Sequence, residues 1–206
     1  MNQNTFIEQG TEGFRHLIRG SIGLAIVTLF LFGLAYSLIG TALGRALFPH
    51  AATGSLIERN GKIIGSSLVA QPFVADSYFQ PRPSASNYDP MAVSGSNQAR
   101  SNPDLHQRID EARATVAARE GIALKDVPSD FVTQSGSGID PHISPAAAQL
   151  QLVRVAKARG LDEAKIGAMV DRYTRDPLLG LFGQSRINVL ELNLALDALP
   201  ADTGAK

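Results

Sequence analysis

The chain has 206 residues, with 19 basic and 19 acidic side chains, four histidines, no cysteine and no tryptophan. The balance of charge excludes the broad basic face that nucleic acid requires, so no nucleic-acid partner is expected. The lack of cysteine excludes disulfides, cysteine nucleophiles and thiolate metal sites.

Residues 1–19 form a short N-terminal tail, too small for a domain. Gly20 to Gly44 follows without a single charge, closed by Arg19 and Arg45. As a helix this segment would reach ~37 Å, enough to cross a hydrocarbon core of about 30 Å with some tilt. Twelve of its residues are Leu, Ile, Val or Phe, and the run is longer than a signal peptide needs, so residues 20–44 are expected to be a transmembrane helix surrounded by lipid. At helical spacing Gly33, Ser37, Gly40 and Gly44 fall on one face, a stripe of small residues of the kind that lets helices pack closely in a membrane. Arg15 and Arg19 on one side and Arg45, Arg59 and Lys62 on the other leave the orientation open by charge counting.

The expected fold is this single N-terminal transmembrane helix plus one mixed α/β soluble domain, residues 45–206. Phe48-Pro49-His50 marks the juncture, and Asn60-Gly61 between Ser55–Glu58 and Lys62–Val69 predicts a β-hairpin, because both turn residues tolerate positive φ. Residues 71–103 carry five prolines and no periodicity, yet also Phe73, Tyr78, Phe79 and Tyr88, so an ordered loop pinned by aromatic side chains is expected. Arg82, Asn87, Ser96, Asn97 and Arg100 would give it a polar, partly basic surface.

Asn102-Pro103-Asp104 predicts a helix start, with Leu105, Ile109, Ala112 and Val116 on one face and Gly121 at the end. Phe131-Val132-Thr133 is a strand candidate. Ser144-Pro145 opens a second helix, with Ala148, Leu152 and Val155 inward and Gly160 closing it. Asp162 caps a third with Ile166, Met169, Val170 and Tyr173 at helical spacing. Asn188-x-x-Glu191 resembles a capping box ahead of Val189, Leu192, Leu196 and Leu199.

The stretch richest in chemistry is Gln134-Ser135-Gly136-Ser137-Gly138-Ile139-Asp140-Pro141-His142. Its glycines could turn amides toward an anion, but the Walker spacing and its Lys-Ser or Lys-Thr pair are missing. Ser137, Asp140 and His142 are the members a hydrolase would use, although the Gly-x-Ser-x-Gly elbow is not met and triads usually gather distant residues. Scattered His16, His50, His106 and His142 make no metal pattern, so no metal site is assigned. The remaining reading is a rigid turn whose Asp140 and Ser144 cap the helix after Pro145.

Tyr78-Phe79-Gln80-Pro81-Arg82-Pro83-Ser84-Ala85, Gly95-Ser96-Asn97, the run Val127 to Ser144 and Ile187-Asn188-Val189-Leu190-Glu191-Leu192-Asn193-Leu194-Ala195-Leu196-Asp197 together resemble the C subunit of the Kdp-type potassium-transporting ATPases. The likeness runs from the membrane helix almost to the C-terminus, and Ile139 in place of the more usual leucine is a conservative departure. It implies a single-pass bacterial inner-membrane subunit with its N-terminus cytoplasmic and its domain periplasmic. Its partners would be a channel-like potassium-translocating subunit and a P-type ATPase subunit. The chain would then be non-catalytic, with no firmly bound cofactor. It would act as a catalytic chaperone that raises the affinity of the ATPase subunit for ATP. Direct contact of the Gln134–His142 stretch with nucleotide or partner is a further expectation. The rival is a membrane-anchored envelope hydrolase using Ser137, Asp140 or His142.

Overall fold

In a computed structural model that describes residues 3–199, with side chains from Phe14 onward, the chain divides into two units, Met1–Ser55 and Leu56–Lys206. The first is helical almost throughout. Helix α1 (Gln3–Thr28) starts far upstream of Gly20, so the polar tail is part of the same rod as the apolar segment. From Leu29 to Ala35 the rod widens into a π-helical turn, in which the Tyr36 N–H donates to Leu31 O five residues back. It then continues as α2 (Tyr36–Leu47). Phe14–Leu47 is long and apolar enough to cross a membrane, and none of it is buried within the protein. At Phe48 the backbone leaves the helix, and Pro49 begins the single turn α3 (Pro49–Ala52).

The second unit is built from small elements whose ends are written in the sequence. Strands β1 (Leu56–Arg59) and β2 (Lys62–Ser66) pair antiparallel across Asn60 and Gly61, at φ +54° and +73°, as the hairpin turn demands. Helix α4 (Pro103–Glu120) is capped by Asn102, which accepts from Asp104 N–H, and ends at left-handed Gly121. Helix α5 (Pro145–Arg159) is capped by Ser144 and stopped by Gly160. Asp162 caps α6 (Glu163–Tyr173), and Asn188 accepts from Glu191 N–H at the head of α7 (Val189–Asp197). Glu191 does not return the bond of a full capping box to Asn188; its carboxylate instead accepts from Arg175 at 2.6 Å.

The strand expected at Phe131–Thr133 is a 3-10 turn over Ser129–Phe131. Phe131 and Val132 are buried there, so their β-prone side chains report burial and not an extended backbone. The domain's second sheet lies elsewhere. Strand β3 (His142–Ile143) and strand β4 (Thr174–Arg175) each pair antiparallel with β5 (Arg186–Asn188), giving the order β3-β5-β4. Each strand has only two or three residues, too short to show alternation.

One core unites the helices and this sheet: Phe79, Ile143, Leu152, Val155, Ile166, Val170, Ile187, Leu192 and Leu196 are all buried in it. Phe79 comes from the proline-rich 71–103 segment, so that segment contributes to the core. Its backbone polar groups must be satisfied without a sheet, and two buried amides do this. Asn193 accepts from the Phe79 N–H at 2.9 Å and donates to the Phe79 carbonyl at 2.8 Å. Gln151 accepts from the Gln80 N–H at 2.8 Å and donates to the Gln80 carbonyl at 3.2 Å.

Candidate functional site

The Gln134–His142 stretch is a tightly committed turn. Ser135 N–H donates to Pro83 O at 3.1 Å, Gly138 N–H to Ser135 Oγ at 2.7 Å, and Ile139 N–H to Ser137 Oγ at 3.2 Å. Ser84 Oγ in turn donates to Gly138 O at 2.6 Å. Gly138 sits at φ +77°, and a Cβ there would lie 2.7 Å from Ser94 O, while a Cβ on Gly95 would lie 2.8 Å from Gly136 O. Gly138 and Gly95 are thus required by the close approach of the two backbones, whereas a Cβ on Gly136 would meet nothing within 4 Å. Three of the turn's amides are engaged within the protein and do not point to an anion.

Asp140 and His142 leave this turn for a neighbouring cleft of about 450 Å³, which Arg82, Asp130, Ser144 and Arg186 also line. Asp140 Oδ2 accepts from Arg82 Nη1 at 3.2 Å, and Oδ1 accepts from His142 N–H at 3.0 Å and lies 3.4 Å from His142 Nδ1. Asp140 therefore does not cap α5 as expected. It closes an Asx turn on His142, while Asp130 accepts from the Ser144 N–H at 2.7 Å. Ser137 is turned into its own loop, and among the described residues no hydrogen bond joins it to His142. The structure brings Asp140 and His142 together and leaves Ser137 apart, so the three do not form the nucleophile–base–acid chain of a hydrolase.

Burial pushes the Asp140 carboxyl up, but the His142 side-chain and backbone hydrogen bonds, with the charges of His142 and Arg82, outweigh it and hold the pKa below the ordinary carboxylate value. A carboxylate depressed in this way stabilises the fold above the ordinary carboxylate range, and that contribution is lost as pH falls through the lower, folded value. Thermal melts of the wild type and of Asp140→Asn should therefore differ by a constant amount near neutral pH and converge in acid. A gap that widened on acidification would contradict the pairing.

A charge cluster that sequence reasoning missed also clamps the 71–103 segment. The carboxylate of Glu120, fully enclosed, accepts from Arg119 Nε at 2.7 Å and from Arg154 Nε at 3.0 Å. Arg154 also donates to Asp76 O at 2.6 Å, Tyr78 O at 3.1 Å and Gln151 Oε1 at 2.7 Å. Farther along, Arg159 donates to Ser77 O at 2.6 Å and to Asp197 Oδ1 at 2.8 Å, and lies over the Tyr78 ring. The signal available was a polar side chain on an otherwise apolar face: Gln151 between Ala148 and Leu152, Asn193 between Leu192 and Leu196. The small-residue stripe lies on the rod: Gly33 in the π-helical turn and Ser37, Gly40 and Gly44 in α2, with Ser37 Oγ donating to Gly33 O at 2.7 Å.

A single helix long and apolar enough to cross a membrane, followed by a domain held by such polar clamps, is the architecture of a membrane-associated protein with one α/β domain. The family model described as KdpC, K+-transporting ATPase, c chain, matches residues 18–198, both the helix and the domain. The chain belongs to this family. It is 59% identical over 180 residues to the potassium-transporting ATPase KdpC subunit of Xanthomonas oryzae pv. oryzae (strain MAFF 311018), covering 87% of this chain and 86% of that one. The subunits of that name from Shewanella putrefaciens (strain CN-32 / ATCC BAA-453) and Caldanaerobacter subterraneus subsp. tengcongensis are 48% and 43% identical, covering 92% and 87% of this chain and 94% and 93% of theirs. The chain is thus a subunit of a K+-transporting ATPase complex, and the other subunits of that complex are its partners.

Proposed function

We propose that the chain is the non-catalytic accessory subunit of an ATP-driven, high-affinity potassium uptake complex. It would join a channel-like potassium-translocating subunit to a P-type ATPase subunit and raise the latter's affinity for ATP as a catalytic chaperone. The observation that carries this reading is the family match over residues 18–198, which takes in the membrane helix as well as the domain. In this arrangement the N-terminus is cytoplasmic, the helix crosses the bacterial inner membrane, and the domain is periplasmic. The Gly33, Ser37, Gly40, Gly44 face meets a helix of a larger subunit.

A periplasmic domain cannot touch cytoplasmic nucleotide. The effect on ATP would pass through the membrane, by preferential binding to the pump conformation that holds ATP more tightly. The engaged amides of Ser135, Gly138 and Ile139 support this indirect route. ATP then enters only through the catalytic subunit, and the chain holds no cofactor of its own. The test is the ATP dependence of potassium-stimulated ATPase activity in complexes purified with and without this chain. A higher apparent KM for ATP in its absence, restored on adding it back, is expected; an unchanged KM would remove the chaperone role.

A further inference from the structure

Among the described residues of the domain, the turn after β4 carries a run of apolar side chains outward. Beyond β4 and β5 the hairpin narrows into a second rung, where Leu178 N–H donates to Phe182 O at 2.9 Å and Phe182 N–H to Leu178 O at 3.0 Å. Gly180 N–H closes the turn on Pro177 O at 2.9 Å, and Leu179 is held at φ +55°, a left-handed conformation that leucine seldom adopts. Leu178, Leu179, Leu181 and Phe182 are 69%, 81%, 80% and 64% exposed. From Pro177 to Ser185 there is no charge, and at the base Arg175 is paired with Glu191, while Arg186 and Asp176 add one formal charge of each sign. A backbone-braced turn that holds four large apolar side chains in water marks a contact surface.

We propose that this turn inserts into the bilayer interface as a second, shallow membrane contact of the chain. The Phe14–Leu47 helix keeps the protein at a membrane, and only residues 48–55 separate it from the domain. Fully extended, that connection spans at most ~30 Å, about the diameter implied by the ~15 Å radius of gyration of a domain of about 150 residues, so the tether confines the domain to the neighbourhood of the lipid that the helix enters. A single turn is small against the ~1,200 Å² that a stable protein interface buries, whereas a tethered apolar tip needs no shape complement to dip into lipid. The balanced charge at its base makes the contact independent of anionic lipid.

The absence of tryptophan supplies the test. Leu181→Trp and, as a second reporter, Phe182→Trp are introduced singly into the full chain, which is reconstituted in phosphatidylcholine vesicles with and without brominated acyl chains. Met91→Trp, at a site 91% exposed, is the reference. Both hairpin reporters should emit at shorter wavelength than the reference and be quenched by the brominated lipid, as expected for a group ~5–10 Å into the headgroup and acyl boundary. Adding anionic lipid should change neither. Emission matching the reference, without quenching, would overturn the proposal. Shielding that arises only when the other subunits are present would overturn it in favour of a protein partner.

Discussion

Glu120→Ala is expected to lower the stability of the domain by about 3–5 kcal/mol, the cost of removing one partner from a buried ion cluster. The carboxylate has no exposed surface, and it accepts from two guanidinium groups at 2.7 and 3.0 Å. Without it, the guanidinium groups of Arg119 and Arg154 lose their shared counter-charge, and Arg154, itself nearly enclosed, keeps only its neutral acceptors at Asp76, Tyr78 and Gln151. Thermal unfolding in detergent should show a fall of roughly 6–20 °C for a protein of this size. Glu120→Gln, which keeps the shape and one acceptor, should lose less. A change within about 0.5 kcal/mol, the range of ordinary surface substitutions, would show that the cluster does not hold the domain together.

Asn193→Leu is expected to cost about 2–4 kcal/mol, although it replaces a buried polar side chain with an apolar one of similar size. The loss arises at Phe79, whose N–H and carbonyl would both be left buried and unpaired. Because Gln151 clamps the adjacent Gln80 in the same way, Asn193→Leu and Gln151→Leu should be strongly non-additive, the second change costing little once the segment has been released. Limited proteolysis should locate the damage, with new cleavage between Gln71 and Asn102 before the helices are cut. Full stability, or cleavage confined to other segments, would contradict the view that these amides order the loop.

Local chemistry explains which parts of the fold were legible. The caps Asn102, Ser144, Asp162 and Asn188, the closing Gly121 and Gly160, and the Asn60-Gly61 turn each act within a few residues, so their meaning survives in a linear reading. Phe131-Val132 misled because aromatic and β-branched side chains suit any half-buried surface, and here they fill the core from a 3-10 turn. The β3-β5-β4 sheet joins residues 142, 174 and 186, and nothing in two- or three-residue strands announces such a pairing. At the site, the glycine-rich turn was visible as a rigid element, but its partners, Pro83, Ser84 and Ser94, are about fifty residues away. The Arg82–Asp140 pair and the Glu120 cluster were hidden for the same reason. Leu178–Phe182 reads simply as a short apolar run, and composition cannot say whether such a run faces a core or the outside.

The proposed role of this chain is that of accessory subunit inside a potassium-transporting complex. It is tested most directly by purifying the full chain through a C-terminal tag in mild detergent, identifying by mass what accompanies it, and assaying the eluate for potassium-stimulated ATPase activity. Co-elution of a multi-span channel-like protein and a P-type ATPase is expected, with activity that depends on potassium. Gly40→Leu, which fills the small-residue face but stays apolar, should sharply reduce both while the chain remains in the membrane. A chain that elutes alone, from membranes whose potassium-stimulated ATPase activity is the same with or without it, would rule the accessory role out.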